Sequence, residues 1–264
     1  MVKGLYTAYS GMINEQHRMD TMTNNLANVA TTGFKKEGAT SQSFRDALAV
    51  EIKDKSEYYL TKRMGIMNPG VKIGENYTDY SEGGFRETNN TYDLALSDRG
   101  FFMVEFTNKA GETSVKYTRD GSFTLTLGGD LVTKDGDFVL DNNGNHIHLS
   151  TTAETQIDRQ GGIYQDGNLV ATVGVTDFED DKQFPTYDYL EKYGENYFEP
   201  VEGAVQTASP AKVISGYLEQ SNVNQVEEMV NMIAINRQYE ANQKIITAID
   251  GTLDIAVNNL MRPQ

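Results

Sequence analysis

Two segments at opposite ends of the chain repeat with a period of seven. Near the C-terminus Met232, Tyr239, Ile246, Leu253 and Leu260 recur every seven residues, and Ile235, Asn242, Ile249 and Ala256 keep the same period three positions on. This is the a/d pattern of a helix that offers one narrow apolar seam to a partner helix. Asn242 makes one polar layer, and a buried Asn there fixes register at some cost in stability. Val226, Met229, Val230 and Ile233 extend the apolar face upstream. Glu227 and Glu228 suit the first turns, and Ser221 or Asn222 is available as a cap. The spacing predicts a helix over about 222–260.

The N-terminal segment has the same period. Leu5, Met12, Met19 and Leu26 recur every seven, with Ala8, Met22 and Val29 three beyond members of that series and Glu15 as the one break. A helix over about 3–30 is expected, stopped near Thr31-Thr32-Gly33 because Gly tolerates the left-handed cap conformation. Asn24, Asn25 and Asn28 crowd its last turns. Asn is a mediocre helix former, but its amide donates and accepts without charge. Such amide faces can bond one another or backbone and so set register between like helices, with a solvated face as the alternative. Gly33-Phe34 is read as the hinge out of the helix. The economical arrangement pairs the two end helices.

Between them the chain reads as β structure. Thr118–Leu125 and Thr133–Leu140 both spell T-[RK]-D-G-x-F-x-L, and Asp166-Gly167 gives a third Asp-Gly turn signal. Strands are expected at 92–97, 101–106, 114–119, 122–127, 130–133, 137–140 and 169–176, with a short helix at 42–53. Residues 177–210 are acidic and rich in Tyr and Phe, without a readable period. The fold class is thus α+β: long N- and C-terminal helices pairing as a coiled coil, with a central, mainly antiparallel β domain. The expected division is 1–33 N-terminal helix, 34–80 extended linker, 81–210 β domain and 211–264 C-terminal helix.

Charge sharpens this division. The net charge is −15, and the whole excess falls within residues 71–210, leaving the two ends to balance. So acidic a middle argues against nucleic-acid binding, which needs a basic surface. Near-neutral ends can pack against copies of themselves without repulsion. There is no run of eighteen apolar residues and no secretory signal pattern.

Chemistry is poorly supplied. The chain has no Cys and three His, which removes disulfides, thiolate metal sites and cysteine nucleophiles. His146 and His148 share one strand face, but a metal needs further ligands. Asp141–Asn145 has its Gly fourth and Thr152 twelfth, so it reads as a turn and not an EF-hand loop. Glu179-Asp180-Asp181 reads as a solvated acidic loop. No nucleophile elbow, P-loop or dinucleotide fingerprint is present. No catalytic, cofactor or metal residue is assigned, and no small-molecule substrate is expected. Long patterned helices flanking a solvated β body are instead the physics of a self-assembling fibre subunit.

Residues 24–35, NNLANVATTGFK, resemble the N-terminal signature of bacterial flagellar rod and hook proteins. Leu218–Asn224, Glu227–Ile233 and Arg237–Asn242 resemble the C-terminal signature. Tyr92–Leu96, Gly100-Phe101-Phe102 and Tyr117–Phe123 resemble the family's β-domain landmarks. The resemblance implies an axial subunit of the flagellar basal body, exported unfolded by the flagellar type III apparatus without signal cleavage. Its subunits would assemble into a hollow rod that carries torque from motor to hook, touching copies of themselves and other rod, hook and rod-cap proteins. Length and the Glu219–Asn224 run look most like the distal rod member, with the proximal one as alternative. Residues 46–70 stand where that member's stiffening segment would lie. A different class also fits the residues: a surface-attached, adhesin-like module using the β body for binding.

Overall fold

The computed structural model describes residues 2–45, 47–50, 63–178, 187, 189–194 and 196–260. It is α+β, with helix α1 at Val2–Ala27, helix α2 at Gln225–Leu260, and mainly antiparallel strands between. The chain divides into two compact units. One comprises Met1–Leu26, Glu37–Tyr77 and Gln225–Gln264; the other comprises Ala27–Lys36 and Thr78–Asn224.

The first unit holds both helices and two ladders, Glu37–Ser43 with Val71–Thr78 and Ala47–Val50 with Arg63–Met67. In place of the helix expected at 42–53, residues 42–43 and 47–50 are strand and Phe44 and Arg45 link them, while 46 and 51–53 lie outside the described residues. Ala47-Leu48-Ala49-Val50 is a short apolar run, which periodicity alone cannot divide between helix and strand. α2 begins at Gln225, so Asn224 takes the capping position rather than Ser221 or Asn222. Ser221 Oγ instead accepts the Val223 N–H at 3.2 Å.

In the second unit, the strand Phe101–Thr107 is the centre of the main sheet. It pairs with Thr113–Thr118, Phe138–Val139 and Val175–Phe178. Side chains alternate across a strand, so consecutive Phe101 and Phe102 point to opposite faces, and both are fully buried. Phe102 joins an aliphatic core with Leu94, Leu96, Val104, Phe123, Leu131 and Val139. Phe101 joins an aromatic core with Tyr80, Tyr117, Phe178, Tyr187 and Phe198. The Tyr- and Phe-rich stretch that carried no readable period thus supplies a second core.

Two of the three Asp-Gly signals make hairpins. Asp166 and Gly167, at φ 50° and 82°, turn Gly162–Gln165 into Asn168–Thr172, as paired left-handed residues in a two-residue turn require. Gly136, at φ 96°, turns Leu131–Thr133 into Phe138–Val139. Asp120-Gly121 does not close a hairpin. Thr113–Thr118 and Phe123–Leu125 pair with other strands, and Asp120 is used elsewhere. The turn at 141–145 forms as expected. Asp141 Oδ1 accepts the N–H groups of Asn143 and Asn145 at 2.7 and 2.8 Å. Burial alone would raise this carboxyl's pKa, but those bonds outweigh it and hold the value below the usual range.

Three tyrosines, Tyr117 and Tyr187 buried and Tyr197 half-buried, give the second unit a pH limit. Tyr187 donates to Asp177 Oδ1 at 2.8 Å, Tyr197 donates to Asp137 Oδ2 at 2.7 Å, and Tyr117 accepts from Gln206 Nε2 at 2.6 Å. Burial raises all three phenol pKa values, and the carboxylate partners add to the rise at Tyr187 and Tyr197. The folded state then holds protons that the unfolded state releases above about pH 10. Their stabilisation is complete below that pH and is lost as pH climbs toward the raised values. Urea midpoints taken across alkaline pH should fall, and Tyr187→Phe with Tyr197→Phe should flatten that fall. An unchanged slope in the double variant would contradict this assignment.

Candidate functional site: helix seams and a buried junction

Along α2 the least exposed side chains trace the predicted heptads. Ile235 is buried, and Met232, Tyr239, Asn242, Ile246, Ile249, Leu253 and Ala256 are half-buried, while the residues among them from Ile233 to Ile255 are exposed. The side chain of Leu260 lies outside the described residues. Two contacts bring α1 against this seam. A β-carbon on Gly4 would lie 3.6 Å from Ile249 Cδ1, and one on Gly11 would lie 3.0 Å from Asn242 Nδ2. Each partner moves by seven residues, in opposite directions, so the register is antiparallel. At Gly11 the missing β-carbon leaves room for Asn242, whereas at Gly4 an added one would make an ordinary contact with Ile249.

α1 distributes its burial differently from the expectation. Leu5, Met12, Met19, Met22, Leu26 and Val29 are only half-buried. Asn14, Thr21, Asn25 and Asn28 are buried more deeply. Asn25, 0% exposed, donates to Glu37 O at 2.8 Å and accepts from Glu37 N at 2.9 Å. Its amide thus pairs with the chain's own backbone like one rung of a sheet. Asn28 Oδ1 accepts from Thr31 Oγ1 at 3.1 Å in the turn after the helix, and Asn24 is exposed.

The second unit ties the three sequence signatures into one buried junction. Gly33, in the left-handed region at φ 69°, donates its N–H to Glu219 O at 2.9 Å. Thr32 Oγ1 donates to Asp120 Oδ1 at 2.7 Å, and that oxygen also accepts from Ser122 N and Oγ. This is what the Asp120-Gly121 segment does in place of a hairpin. Phe34 is buried, with Lys192 Nζ 4.0 Å from its ring centroid. Gly33-Phe34 is therefore a clamped seat and not the hinge expected from its sequence. Beyond it, Lys36 N donates to Asn222 Oδ1 at 2.7 Å, and Asn222 Nδ2 donates to Asp79 O at 2.8 Å.

Charge lies at the centre of the junction. Lys35, 1% exposed, donates from Nζ to Glu219 Oε1 at 2.6 Å and to Ser81 O at 2.7 Å. Glu219 Oε1 also accepts from Gly83 N at 3.1 Å, and Oε2 accepts from Arg119 at 3.4 Å. Burial lowers the Lys35 pKa against the opposing pull of Glu219, with Arg119 adding to the fall. Nothing in periodicity or composition marked this cluster. Lys35, Arg119 and Glu219 stood in the sequence only as members of the matched motifs.

His146 and His148 do not converge on a common ligand position. His146 Nε2 lies 3.2 Å from Glu105 Oε2, and His148 Nδ1 lies 3.0 Å from Asp130 Oδ1. Among the described residues no group of three or more His, Asp or Glu is placed to hold a metal. Residues 179–181 lie outside them.

The chain can now be set beside known proteins. Residues 5–35 match the flagella basal body rod protein family. Residues 95–172 match the D1 domain of the flagellar hook protein FlgE/F/G family, and 214–260 match the C-terminal region of the flagellar basal body rod FlgEFG proteins. The flagellar basal-body rod protein FlgG of Bacillus subtilis is 34% identical, with 98% of this chain and 99% of the relative covered. FlgG of Buchnera aphidicola from Baizongia pistaciae is 31% identical, covering 96% and 98%. The rod protein FlgF of Rhizobium meliloti is 31% identical, covering 98% of each. The first and last matches contain the two halves of the buried junction, Lys35 and Glu219. On identity and coverage together, the chain belongs to the flagellar basal-body rod protein family.

Proposed function

We propose that this chain is a structural subunit of the flagellar basal-body rod, polymerising through its terminal helices into a hollow axial shaft that carries torque from motor to hook. The helices pair as an antiparallel coiled coil within each subunit and pack against copies in the shaft. The acidic excess of residues 71–210 falls mostly within the β-rich unit, leaving the terminal segments near neutral for self-contact. The observation that carries this reading is the half-buried heptad seam of α2, from Met232 to Ala256, met by α1 at Gly4 and Gly11. A single chain leaves that seam partly open, and identical neighbours can complete it. The axial helices, the segment after α1 and the β body keep separate tasks: assembly, stiffening and support. The full-length likeness to FlgG supports the distal rod as its place. Its neighbours are then other rod, hook and rod-cap proteins, and it reaches the cell envelope unfolded, through the flagellar export apparatus and without a cleaved signal. Its work is mechanical and not catalytic.

The junction sets where a test must cut. Residues 27–36 belong to the β-rich unit, so only 1–26 and 225–264 are removed. The trimmed chain should remain a folded monomer in sedimentation velocity, while concentrated full-length chain should form sedimenting polymer. Equal polymerisation of both would reject assembly through the terminal helices. Cutting through residue 36 instead should also unfold the β unit, because Lys35 and Gly33 leave with it.

A further inference from the structure

Each terminal helix carries a second apolar face that its partner helix does not cover. On α1, Tyr6, Tyr9 and Ile13 are exposed at 64%, 53% and 37%. At 100° per residue they lie roughly half a turn from Gly4 and Gly11, the positions that meet α2. With Phe44, Val71 and Ile73 from the neighbouring strands they wall a groove of about 710 Å³. The groove's back is held in place, since Thr7 Oγ1 donates to Pro69 O at 3.2 Å and Ser10 Oγ accepts from Val71 N at 3.4 Å.

On α2, Val226, Met229, Val230 and Ile233 are exposed at 71%, 49%, 60% and 53%. Their spacing of i, i+3, i+4 and i+7 makes one straight stripe, about 10 Å long. It stands roughly half a turn from the seam of Ile235, Asn242 and Ile249, so these residues form a separate face and not the upstream extension of the seam that their sequence suggested. Neither face can turn toward the other in its own chain without breaking the Gly4 and Gly11 contacts.

Building on the rod reading, we infer that the Tyr6–Tyr9–Ile13 groove of one subunit receives the Val226–Ile233 stripe of the next. An apolar helix face laid in an apolar groove is a standard mode of recognition, and Tyr suits such walls because its ring is apolar and its hydroxyl can stay wet. Charge agrees with the match: Lys72 lines the groove, and acidic Glu227 flanks the stripe. The contact joins unlike patches, so every added subunit leaves one groove and one stripe open. Such a heterologous contact grows as a helical filament when its rotation does not close a ring.

The cysteine-free sequence allows a direct test. Full-length Ile13→Cys and Ile233→Cys chains are polymerised each alone and, mixed beforehand, as a copolymer, then treated with a short bis-maleimide cross-linker. Covalent dimer is expected in the mixture and not in either chain alone. Ile233→Glu with Val230→Glu should lose sedimenting polymer, while circular dichroism keeps the parent's helix signal. Polymer that forms without the mixed cross-link, or with cross-links between two Ile13→Cys chains, would overturn this pairing and leave the rod reading standing. Absence of polymer from the concentrated parent chain would count against both.

Discussion

Glu219→Ala should unfold, or nearly unfold, the β-rich unit, with a loss of about 3–5 kcal/mol, the usual cost of stripping one partner from a buried ion pair. The reason is the imbalance at the junction. One carboxylate serves two cations, Lys35 Nζ at 2.6 Å and Arg119 at 3.4 Å, and also accepts the Gly83 N–H. Alanine would leave two buried cations and a backbone donor without their acceptor. Lys35→Met is expected to cost less, about 1–3 kcal/mol, because Arg119 still faces Glu219 and methionine fills similar space. It should also change the pH response. Lys35 has a folded pKa below its unfolded value near 10.4, so the unfolded chain binds more protons between the two values. Its contribution to stability therefore rises with pH across that window, and Lys35→Met should remove the rise. Urea titrations of the full chain, followed by tyrosine fluorescence, would measure both. A Glu219→Ala chain within about 1 kcal/mol of the parent would show that the junction carries little of the stability.

Gly33→Ala should be comparably severe, for a reason unrelated to charge. A β-carbon there would lie 2.4 Å from Asp120 N and 2.5 Å from Arg119 C. Both are backbone atoms, so no rotamer change relieves the clash. The residue also sits at φ 69°, where a side chain costs roughly 1–2 kcal/mol before any crowding. Overpacking adds about 1–3 kcal/mol, and the Gly33 N–H to Glu219 bond is strained with it. A total loss of about 3 kcal/mol or more is expected from these terms together. Gly136→Ala makes a useful contrast. Its φ of 96° is also left-handed, but nothing lies within 4 Å of the added carbon, so only the conformational cost applies. Similar losses at the two glycines would remove the steric part of the argument.

The sequence disclosed what is local. Heptads are local, and from Met232 to Ala256 the side chains that the α2 period nominated are buried or half-buried. Alternation with Asp-Gly punctuation is local, and the strands around Phe101, Thr113, Leu131 and Phe138 fall close to where it put them. The junction is not local. Nothing local singles out Lys35, Arg119 and Glu219 for burial, because the partner that makes burial tolerable lies far along the chain. The Asn residues of α1 show the same limit. An amide's freedom to donate and accept was legible, but not that Asn25 would use it on the backbone of Glu37. The strands Thr155–Ile157 and Gly162–Gln165 are too short for a period to register, and Tyr187 and Phe198 belong to a core fed from several strands. Asp120-Gly121 had the right turn chemistry, but tertiary demand overrode it.

The Lys35–Glu219 bond spans 184 residues, and the strand Tyr217–Glu219 pairs with Phe85–Glu87. Contacts so distant along the chain close large loops before they return any energy, and chains dominated by them fold slowly. A chain emerging N-terminus first cannot complete its β-rich unit until residue 219 has joined it. The charged lock at the junction thus acts as a timer: it holds folding of the β-rich unit back until residue 219 is present.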